Sequence, residues 1–219
     1  MEQDKRIPDI VIKRLPVYYR FLTSLRQAGI SRVSSRDLGD TMGITSSQVR
    51  QDFSKFGSFG LQGYGYDVDQ LRNEIGKILG LGKKRNMIII GAGHLGQALA
   101  RHSAFERDGY VTVGIFDVDR QILGEKIRDI EVMHMDTLTK QFVHDKAVDI
   151  AIITVPYVYA RETADLVTEL GIRGIWNFTS VKLDAPPGIC VEDIHLSDSL
   201  MTLGYYMGEA DDKQNVERK

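Results

Sequence analysis

The stretch MIIIGAGHLGQALA, residues 87–100, decides the fold of the second half of the chain. An apolar run typical of a strand buried on both faces leads into a glycine turn and then into a helical pattern. The turn has the GxGxxG spacing of dinucleotide-binding folds, with the residues Gly91, Ala92, Gly93, His94, Leu95 and Gly96. In that motif the first glycine forms the turn, the second leaves room for a pyrophosphate and the third lets helix and strand approach. We therefore expect a pyrophosphate at the helix N-terminus.

An acidic residue follows at the spacing that this motif requires. The strand pattern YVTVGIFD, residues 110–117, ends in Asp117, which lies 117 − 96 = 21 residues after the third glycine. A carboxylate at this spacing binds the adenosine ribose and repels the 2′-phosphate of NADP. We therefore predict NADH and NAD as ligands, with Val118 beside Asp117 in the site. Arg120 is the one neighbour that favours NADP instead.

The rest of this half alternates between strand and helix patterns, as a doubly wound parallel sheet requires. Strand patterns occupy 130–135, 148–155, 171–179 and 188–192. Ligands bind at the carboxyl ends of strands in open α/β sheets. On that basis we assign to the cofactor site the strand-end residues Thr154, Val155, Pro156 and Asn177. An ordinary strand-end turn would have the same composition, and that alternative stays open.

Charge divides the chain in two. The net charge is −2, but residues 1–85 carry 15 Lys and Arg against 9 Asp and Glu, which is +6, and the remaining residues carry 13 against 21, which is −8. This asymmetry suggests that only the first segment faces a polyanion such as nucleic acid. A solvated basic surface is the alternative.

The basic segment contains the pattern of a helix-turn-helix, in RVSSRDLGDTMGITSSQVRQDFSKFG, residues 32–57. Ser34 and Asp37 form a capping-box start for one helix, Gly43 ends it, and Thr45 or Ser46 caps the next. A glycine turn between two short helices fits a motif whose second helix enters the major groove of DNA. Helical hairpins of this size also occur in proteins that never contact DNA. An earlier helix is predicted to begin at Pro16 and to end at Gly29.

The second helix of this motif has an apolar face, formed by Val49, Phe53 and Phe56, and a polar remainder. Arg and Gln suit base edges, whereas Ser and Lys suit phosphates. The predicted DNA contacts are Ser46, Ser47, Gln48, Arg50, Gln51, Ser54 and Lys55, with Arg14 from the first helix. The glycine-rich run FGSFGLQGYGYDV, residues 56–68, then predicts the β-hairpin of a winged helix, with a plain connector as the alternative.

The predicted organisation has four parts. A winged-helix DNA-binding domain spans 1–79, a linker 80–85, a Rossmann-type NAD(H)-binding domain 86–193, and a C-terminal helix with a polar tail 194–219. No run of 18 apolar residues occurs and the N-terminus is polar, so we expect a cytoplasmic protein without a membrane partner. The lone Cys190 is interpreted as a buried residue, and no metal site is expected.

The lengths favour a sensor over an enzyme. Residues 86–193 are used in one dinucleotide-binding sheet, which leaves no substrate domain, and the histidines show no catalytic arrangement, so we assign no catalytic residue. A small NAD-dependent oxidoreductase whose basic head serves oligomerisation is the alternative. A DNA-binding protein that responds to another nucleotide is a third possibility.

The chain resembles the Rex family of bacterial redox-sensing transcriptional repressors from about residue 7 to residue 207. The motifs that carry the resemblance are KRLPVYYRFL, RVSSRDL, ITSSQVRQDFSKFG, GYGYDV, GAGHLGQAL, GIFDVD, TVP, GIRGIWNF and VEDIHLSDSL. The resemblance implies a homodimer in which a C-terminal helix, about 196–208, is exchanged between subunits. It also implies that the apo or NAD-bound form binds a palindromic operator, that NADH releases it, and that redox and fermentative or respiratory genes are controlled.

The same resemblance identifies departures from the family. Many members carry Tyr and Asp at the positions of His102 and His195. That aspartate pairs with the arginine matching Arg20, so the resemblance implies that Arg20, His102 and His195 couple the two domains here. Asp193 or Asp198 could supply the missing carboxylate. The wing tip Leu61-Gln62 also lacks the basic pair that is common in the family.

Overall fold

A computed structural model describes residues 7–57, 60–61 and 65–217. The chain divides into two compact units between Lys83 and Lys84. The first unit contains α1 (Asp9–Gln27), β1 (Arg32–Val33), α2 (Ser35–Met42), α3 (Ser46–Ser54), β2 (Gly60–Leu61), β3 (Gly65–Asp67) and α4 (Val68–Ile78). The second contains β4 (Arg85–Ile90), α5 (His94–Arg101), α6 (Ala104–Arg107), β5 (Tyr110–Asp117), β6 (Lys126–Ile127), β7 (Ile130–His134), α7 (Lys140–Asp145), β8 (Val148–Ile153), α8 (Ala160–Glu169), β9 (Gly174–Asn177), β10 (Cys190–Asp193) and α9 (Leu196–Glu217). Two 3₁₀ turns, Met135–Thr137 and Tyr157–Tyr159, precede α7 and α8.

The first helix begins earlier than the sequence pattern predicts. Helix α1 starts at Asp9 after Pro8 and runs through Pro16, so the predicted start at Pro16 is wrong. A proline inside a helix removes one N–H and leaves the carbonyl four residues earlier, here that of Ile12, without its helical partner. Both Pro16 and Ile12 are exposed, and water can solvate that carbonyl.

The helix-turn-helix forms as the capping signals predict. The Ser34 hydroxyl accepts a hydrogen bond from the Asp37 N–H, and the Asp37 carboxylate accepts one from the Ser34 N–H. Gly43 ends α2 at a φ of 65°, in the left-handed region, and Thr45 caps α3 by accepting from the Gln48 N–H.

A small antiparallel sheet completes the first unit. Its order is β1, β3, β2, and Leu61 of β2 pairs with Gly65 of β3. The winged helix-turn-helix prediction is therefore confirmed for the described residues. The predicted tip residue Gln62 lies outside the described residues. Beneath the wing, the Phe53 ring lies 4.8 Å from that of Tyr18 and 5.0 Å from that of Tyr66.

The second unit is a doubly wound α/β sheet. Its order is β10, β9, β8, β4, β5, β7, β6, and all pairs are parallel except β6 with β7. Strand β4 lies at the centre. Ile88 and Ile90 enter the core on one face, while Met87 and Ile89 enter the core on the other. This two-sided burial explains the continuous apolar run and confirms the Rossmann-type prediction.

Two predictions near the C-terminus are wrong. Cys190 is exposed rather than buried, because it lies on β10 at the edge of the sheet. Helix α9 continues to Glu217, beyond the predicted end at about residue 208. The added residues include Glu, Ala, Lys and Gln, which favour helices, and no proline or glycine follows Gly208 to stop them.

Candidate functional site

The three glycines of the 91–96 turn meet different surroundings. Gly91 has a φ of 98°, and a Cβ there would lie 2.9 Å from the Thr154 carbonyl group. A Cβ on Gly96 would collide with the Gly91 carbonyl oxygen. Among the residues that the structure describes, no atom lies within 4 Å of the position that a Cβ on Gly93 would take. The protein's own packing therefore requires glycine at 91 and 96, whereas no contact among the described residues requires it at 93.

Two side chains hold the turn in place. The Thr154 hydroxyl donates to the Gly91 carbonyl oxygen at 2.7 Å, and the Gln97 amide nitrogen donates to the Ala92 carbonyl oxygen at 3.0 Å. Thr154, predicted as a cofactor contact, thus uses its hydroxyl to shape the turn. The α5 N-terminus is left with backbone N–H groups that have no intrahelical partner, at His94, Leu95 and Gly96. An anion is favoured there.

Asp117 connects this turn to the next loop. Its Oδ2 accepts from the Ala92 N–H at 2.5 Å, and its Oδ1 accepts from the N–H groups of Val118 and Asp119 at 2.7 and 2.9 Å. Since each carboxylate oxygen has two lone-pair sites, Oδ2 retains one for a further donor. The Val118 side chain beside it is exposed.

The side-chain amide of Asn177 is hydrogen-bonded entirely within the protein. Its side chain is fully buried, and its Nδ2 donates to the Val181 carbonyl oxygen and to Asp193, each at 2.7 Å. Its Oδ1 accepts from the N–H and the hydroxyl of Thr179. All four hydrogen-bonding positions of the amide are used. The predicted cofactor contact is therefore corrected, and Asn177 instead joins β9 to β10. Of the neighbouring predictions, Val155 packs against the core and Pro156 is exposed.

The predicted coupling residues belong to different units. Arg20 is exposed in the first unit, whereas His102 and His195 lie in the second, exposed and half-buried respectively. A chain of aromatic contacts begins at His102. Ring centroids lie 4.6 Å apart for His102 and Phe105, 5.5 Å for Phe105 and Trp176, and 4.7 Å for Trp176 and Phe178.

The polar face of α3 is open to solvent. The exposed residues are Ser47, Arg50, Gln51, Ser54 and Lys55, and the half-buried ones are Ser46 and Gln48. Arg50 donates from Nη1 to the Ser35 hydroxyl at 3.0 Å, which steadies it at the surface. The helix therefore presents short polar and basic side chains along one side.

Sequence reasoning missed Asp52, which lies on the inner side of α3 and is 1% exposed. Its carboxylate accepts from Arg14 Nε and Nη2 at 2.8 and 2.7 Å, from the Tyr18 hydroxyl at 2.9 Å and from Gln48 Nε2 at 3.0 Å. Burial, with the Asp52 hydrogen bond and charge, raises the pKa of Tyr18, so the phenol stays protonated and donates. The spacing could have indicated that Asp52 is buried, because it lies three residues after the inward-facing Val49 and therefore close to the same face of the helix.

Arg14 therefore has a different position from the one expected. Both its Nε and its Nη2 face Asp52, and its side chain is 20% exposed. A guanidinium bound in this two-point manner joins α1 to α3. These bonds give Arg14 a structural role. Its contact with DNA stays a prediction.

Within the described ranges, no group of three or more His, Cys, Asp or Glu side chains could hold a metal ion. No helix among those residues is long and apolar enough to cross a membrane.

Known proteins match both units. A family model described as a CoA binding domain matches residues 82–181, and one described as a putative DNA-binding protein N-terminus matches residues 6–54. The chain is 46% identical over 209 residues to the redox-sensing transcriptional repressor Rex of Thermoanaerobacter pseudethanolicus, which covers 95% of this chain and 93% of that protein. For Rex of Clostridium perfringens the identity is 48% over 213 residues, or 97% and 100% of the two chains. The chain belongs to the Rex family of redox-sensing transcriptional repressors.

Solved structures of a Rex-family repressor, RSP, match the whole fold. Crystal structures of RSP alone and with β-NADH each give a TM-score of 0.88, at 44% and 43% identity, and each covers 96% of this chain and nearly all of RSP, 98% and 99% respectively. RSP in complex with β-NAD⁺ and operator DNA gives a TM-score of 0.86 at 45% identity, over 97% and 98% of the two chains. The resemblance to Rex repressors that the motifs indicate is confirmed.

Proposed function

We propose that this chain is a cytoplasmic homodimer that binds a palindromic operator in its apo or NAD-bound form and is released by NADH. It thereby controls redox and fermentative or respiratory genes. The observation that carries the proposal is the glycine turn. A Cβ at Gly91 or Gly96 would collide with the protein's own backbone, whereas a Cβ at Gly93 would meet no atom of the described residues within 4 Å. The relative RSP has been solved both with β-NAD⁺ and operator DNA and with β-NADH, which supports the same ligands here.

The dinucleotide would lie across the carboxyl ends of β4 and β5. Its pyrophosphate would take the N–H groups at the start of α5, and the free position of Asp117 Oδ2 would accept from a ribose hydroxyl. Val118, Val155 and Pro156 border this edge. No residue is assigned to hydride transfer, so NADH and NAD act as ligands rather than substrates. The relatives that match along nearly their full length are repressors, which disfavours the oxidoreductase alternative.

The operator would be bound by α3 and its neighbours. The exposed residues of α3 supply a base reader, Arg50, and phosphate contacts such as Ser47 and Lys55. Two such helices related by a dimer axis require half-sites spaced by about one helical turn or a multiple of it. The operator is therefore expected to be palindromic.

The second copy would be held by α9. Its residues Leu196, Leu200, Leu203 and Met207 recur at intervals of 4, 3 and 4, as in a coiled-coil seam, and all are 53–69% exposed. A stripe of this kind needs an apolar partner. Exchange of α9 between subunits supplies one. Movement between the units would then be coupled through Arg20, His102 and His195, with Asp193 or Asp198 as the alternative acidic partner of Arg20.

The test begins with double-stranded DNA selected from a random pool by the full chain. The selected operator is titrated with NADH, NAD, NADPH and ATP, while NADH absorbance is followed to detect turnover. We expect NADH alone to release the operator and to remain unconsumed. Release by ATP would favour the third possibility, a response to another nucleotide, and steady oxidation of NADH would favour an enzyme.

A further inference from the structure

The carboxylate of Asp52 has no free hydrogen-bonding position. Oδ1 accepts from Arg14 Nη2 and Gln48 Nε2, and Oδ2 accepts from Arg14 Nε and the Tyr18 hydroxyl. A carboxylate has about four lone-pair sites, and these four donors fill them. Gln48 supplies one of the four donor contacts to this buried charge. It is also half-buried and among the residues of α3 that are predicted to contact DNA.

This contact fixes which way the Gln48 amide points. A carboxylate only accepts hydrogen bonds, so the amide nitrogen must face Asp52 and the amide oxygen must point elsewhere. One N–H of the amide is used by Asp52. Within the described part of the chain, Oε1 and the second N–H have no other hydrogen-bond partner. A glutamine free on a helix surface would rotate between both amide orientations, whereas this one is held in a single orientation.

We propose that Gln48 reads an adenine in each operator half-site and that Asp52 is the positioning residue that sets this preference. The inference rests on the proposed function, operator binding. Gln48 is the third residue of α3, and the N-terminal residues of a recognition helix are those that reach base edges. Glutamine pairs with adenine by accepting from N6 and donating to N7. Guanine presents two acceptors in the major groove, which the Gln48 oxygen would repel.

Gln48→Ala tests the reading step in the full chain. Alanine suits this half-buried helix position, so the variant is expected to fold. Operators selected by the parent and by the variant from a random pool are sequenced, and binding to single-base substitutions is measured. We expect one A·T position per half-site to lose a preference of about 5- to 150-fold, the range for a bidentate contact, while the other positions keep theirs. An unchanged preference at every position would overturn the proposal.

Asp52→Asn tests the positioning step, because asparagine keeps the shape but can no longer accept from every donor. We expect the adenine preference to fall at the operator position that Gln48→Ala affects. Combining Asp52→Asn with Gln48→Ala should cause no further loss of preference at that position. Tyr18→Phe is the matched control, since it removes a donor to Asp52 and leaves the Gln48 contact. It should keep the preference. If Asp52→Asn weakened binding to all DNA sequences equally, Asp52 would support α3 as a whole and would not position Gln48. The same would follow if Tyr18→Phe lowered the base preference at the position that Gln48→Ala affects.

Gln48→Glu provides a second test that leaves Asp52 in place, should Asp52→Asn fail to fold. Glutamate matches glutamine in size but cannot donate to Asp52 and is repelled by it. We expect the adenine preference to disappear without a replacement. A glutamate that is free to rotate prefers cytosine. If the Gln48→Glu variant preferred cytosine at this position and bound it as tightly as the parent binds adenine, the proposed positioning by Asp52 would be contradicted. A parent chain that selects no sequence at all would instead contradict the proposed function.

Discussion

At the scale of single residues, Gly93 separates ligand binding from folding. No atom of the described residues lies within 4 Å of a Cβ placed there, so Gly93→Val is expected to fold, yet its methyl groups would occupy the space that a pyrophosphate needs. The variant should bind operator as the parent does but ignore NADH. DNA binding in an NADH titration measures this. Gly96→Val is the contrasting variant, because its side chain collides with the Gly91 carbonyl oxygen and should disrupt the turn itself. If a folded Gly93→Val variant dissociated from DNA at the same NADH concentration as the parent, the glycine turn would not be the NADH-binding site.

Asp117 has two separable tasks. Asp117→Ala removes the negative charge that repels a 2′-phosphate, and it also frees the N–H of Ala92, which Asp117 now holds. We expect the affinity for NADPH to rise relative to the affinity for NADH. The affinity for NADH itself should fall, because the turn loses a hydrogen bond that holds it. Affinities for both nucleotides, measured calorimetrically, give the ratio. Asp117→Asn keeps an acceptor for Ala92 but loses the charge, so it should shift the ratio with a smaller loss of NADH affinity. An unchanged ratio in both variants would assign the discrimination to another residue.

Gly91 and Gly96 were predictable from sequence because each has a local requirement: a positive φ at Gly91, and the close approach of Gly96 to the Gly91 carbonyl oxygen. The roles of side chains whose partners lie far along the chain were not predictable from sequence. Asn177 and Arg14 have the right types for ligand and DNA contacts, but the groups that satisfy them, such as Asp193 and Asp52, are assigned by tertiary packing. Polar type alone does not tell a free group from a satisfied one.

At the scale of elements, the N-terminus of α2 depends on its capping box. The Ser34 hydroxyl accepts from the Asp37 N–H at 3.1 Å, and Ser34→Ala removes this contact. We expect the free energy of unfolding to fall by about 0.5–2 kcal/mol, as for other N-cap replacements. Urea denaturation at pH 7 measures it. Ser35→Ala, one residue later and outside the cap, should have a smaller effect.

The same cap predicts a dependence on pH. Hydrogen bonds from the Ser34 hydroxyl and N–H lower the pKa of Asp37. A carboxyl group with a lowered pKa in the folded state stabilises the fold above its unfolded pKa, and that contribution is lost as the pH falls through the folded value. The difference between parent and Ser34→Ala should therefore shrink below about pH 4. A constant difference from pH 7 to pH 3 would show that the Asp37 charge contributes nothing.

Element types followed from periodicity and caps, whereas two element ends did not. The sequence pattern predicts that α1 starts at Pro16 because proline favours a first turn, but an exposed carbonyl lets proline lie in the helix interior. The end of α9 at about residue 208 is what the family resemblance implies, whereas the helix continues to Glu217 because a single glycine costs a helix only about 1 kcal/mol. The error at Pro16 depends on solvent exposure, which a one-dimensional pattern does not contain.

At the scale of the whole molecule, each half has its own apolar core, while α9 leaves its apolar stripe exposed. Leu200→Glu with Leu203→Glu places two charges in that stripe. We expect the dimer to weaken and operator binding to fall with it, since two half-sites must be bound together. Analytical ultracentrifugation and DNA binding measure both. Thr202→Glu, exposed on the same helix but on the side away from the stripe, is the control. A charged variant that remained a tight dimer would show that α9 is not the interface.

The aromatic chain that runs from His102 has an optical consequence. Trp176 is the only tryptophan in the chain, and it lies in the unit that contains the glycine turn. Indole emits where reduced nicotinamide absorbs and where the oxidised form does not. Energy transfer should therefore quench Trp176 when NADH binds, with sensitised nicotinamide emission, and should leave it bright with NAD. The protein thus carries an intrinsic fluorophore that reports the redox state of its ligand without a label.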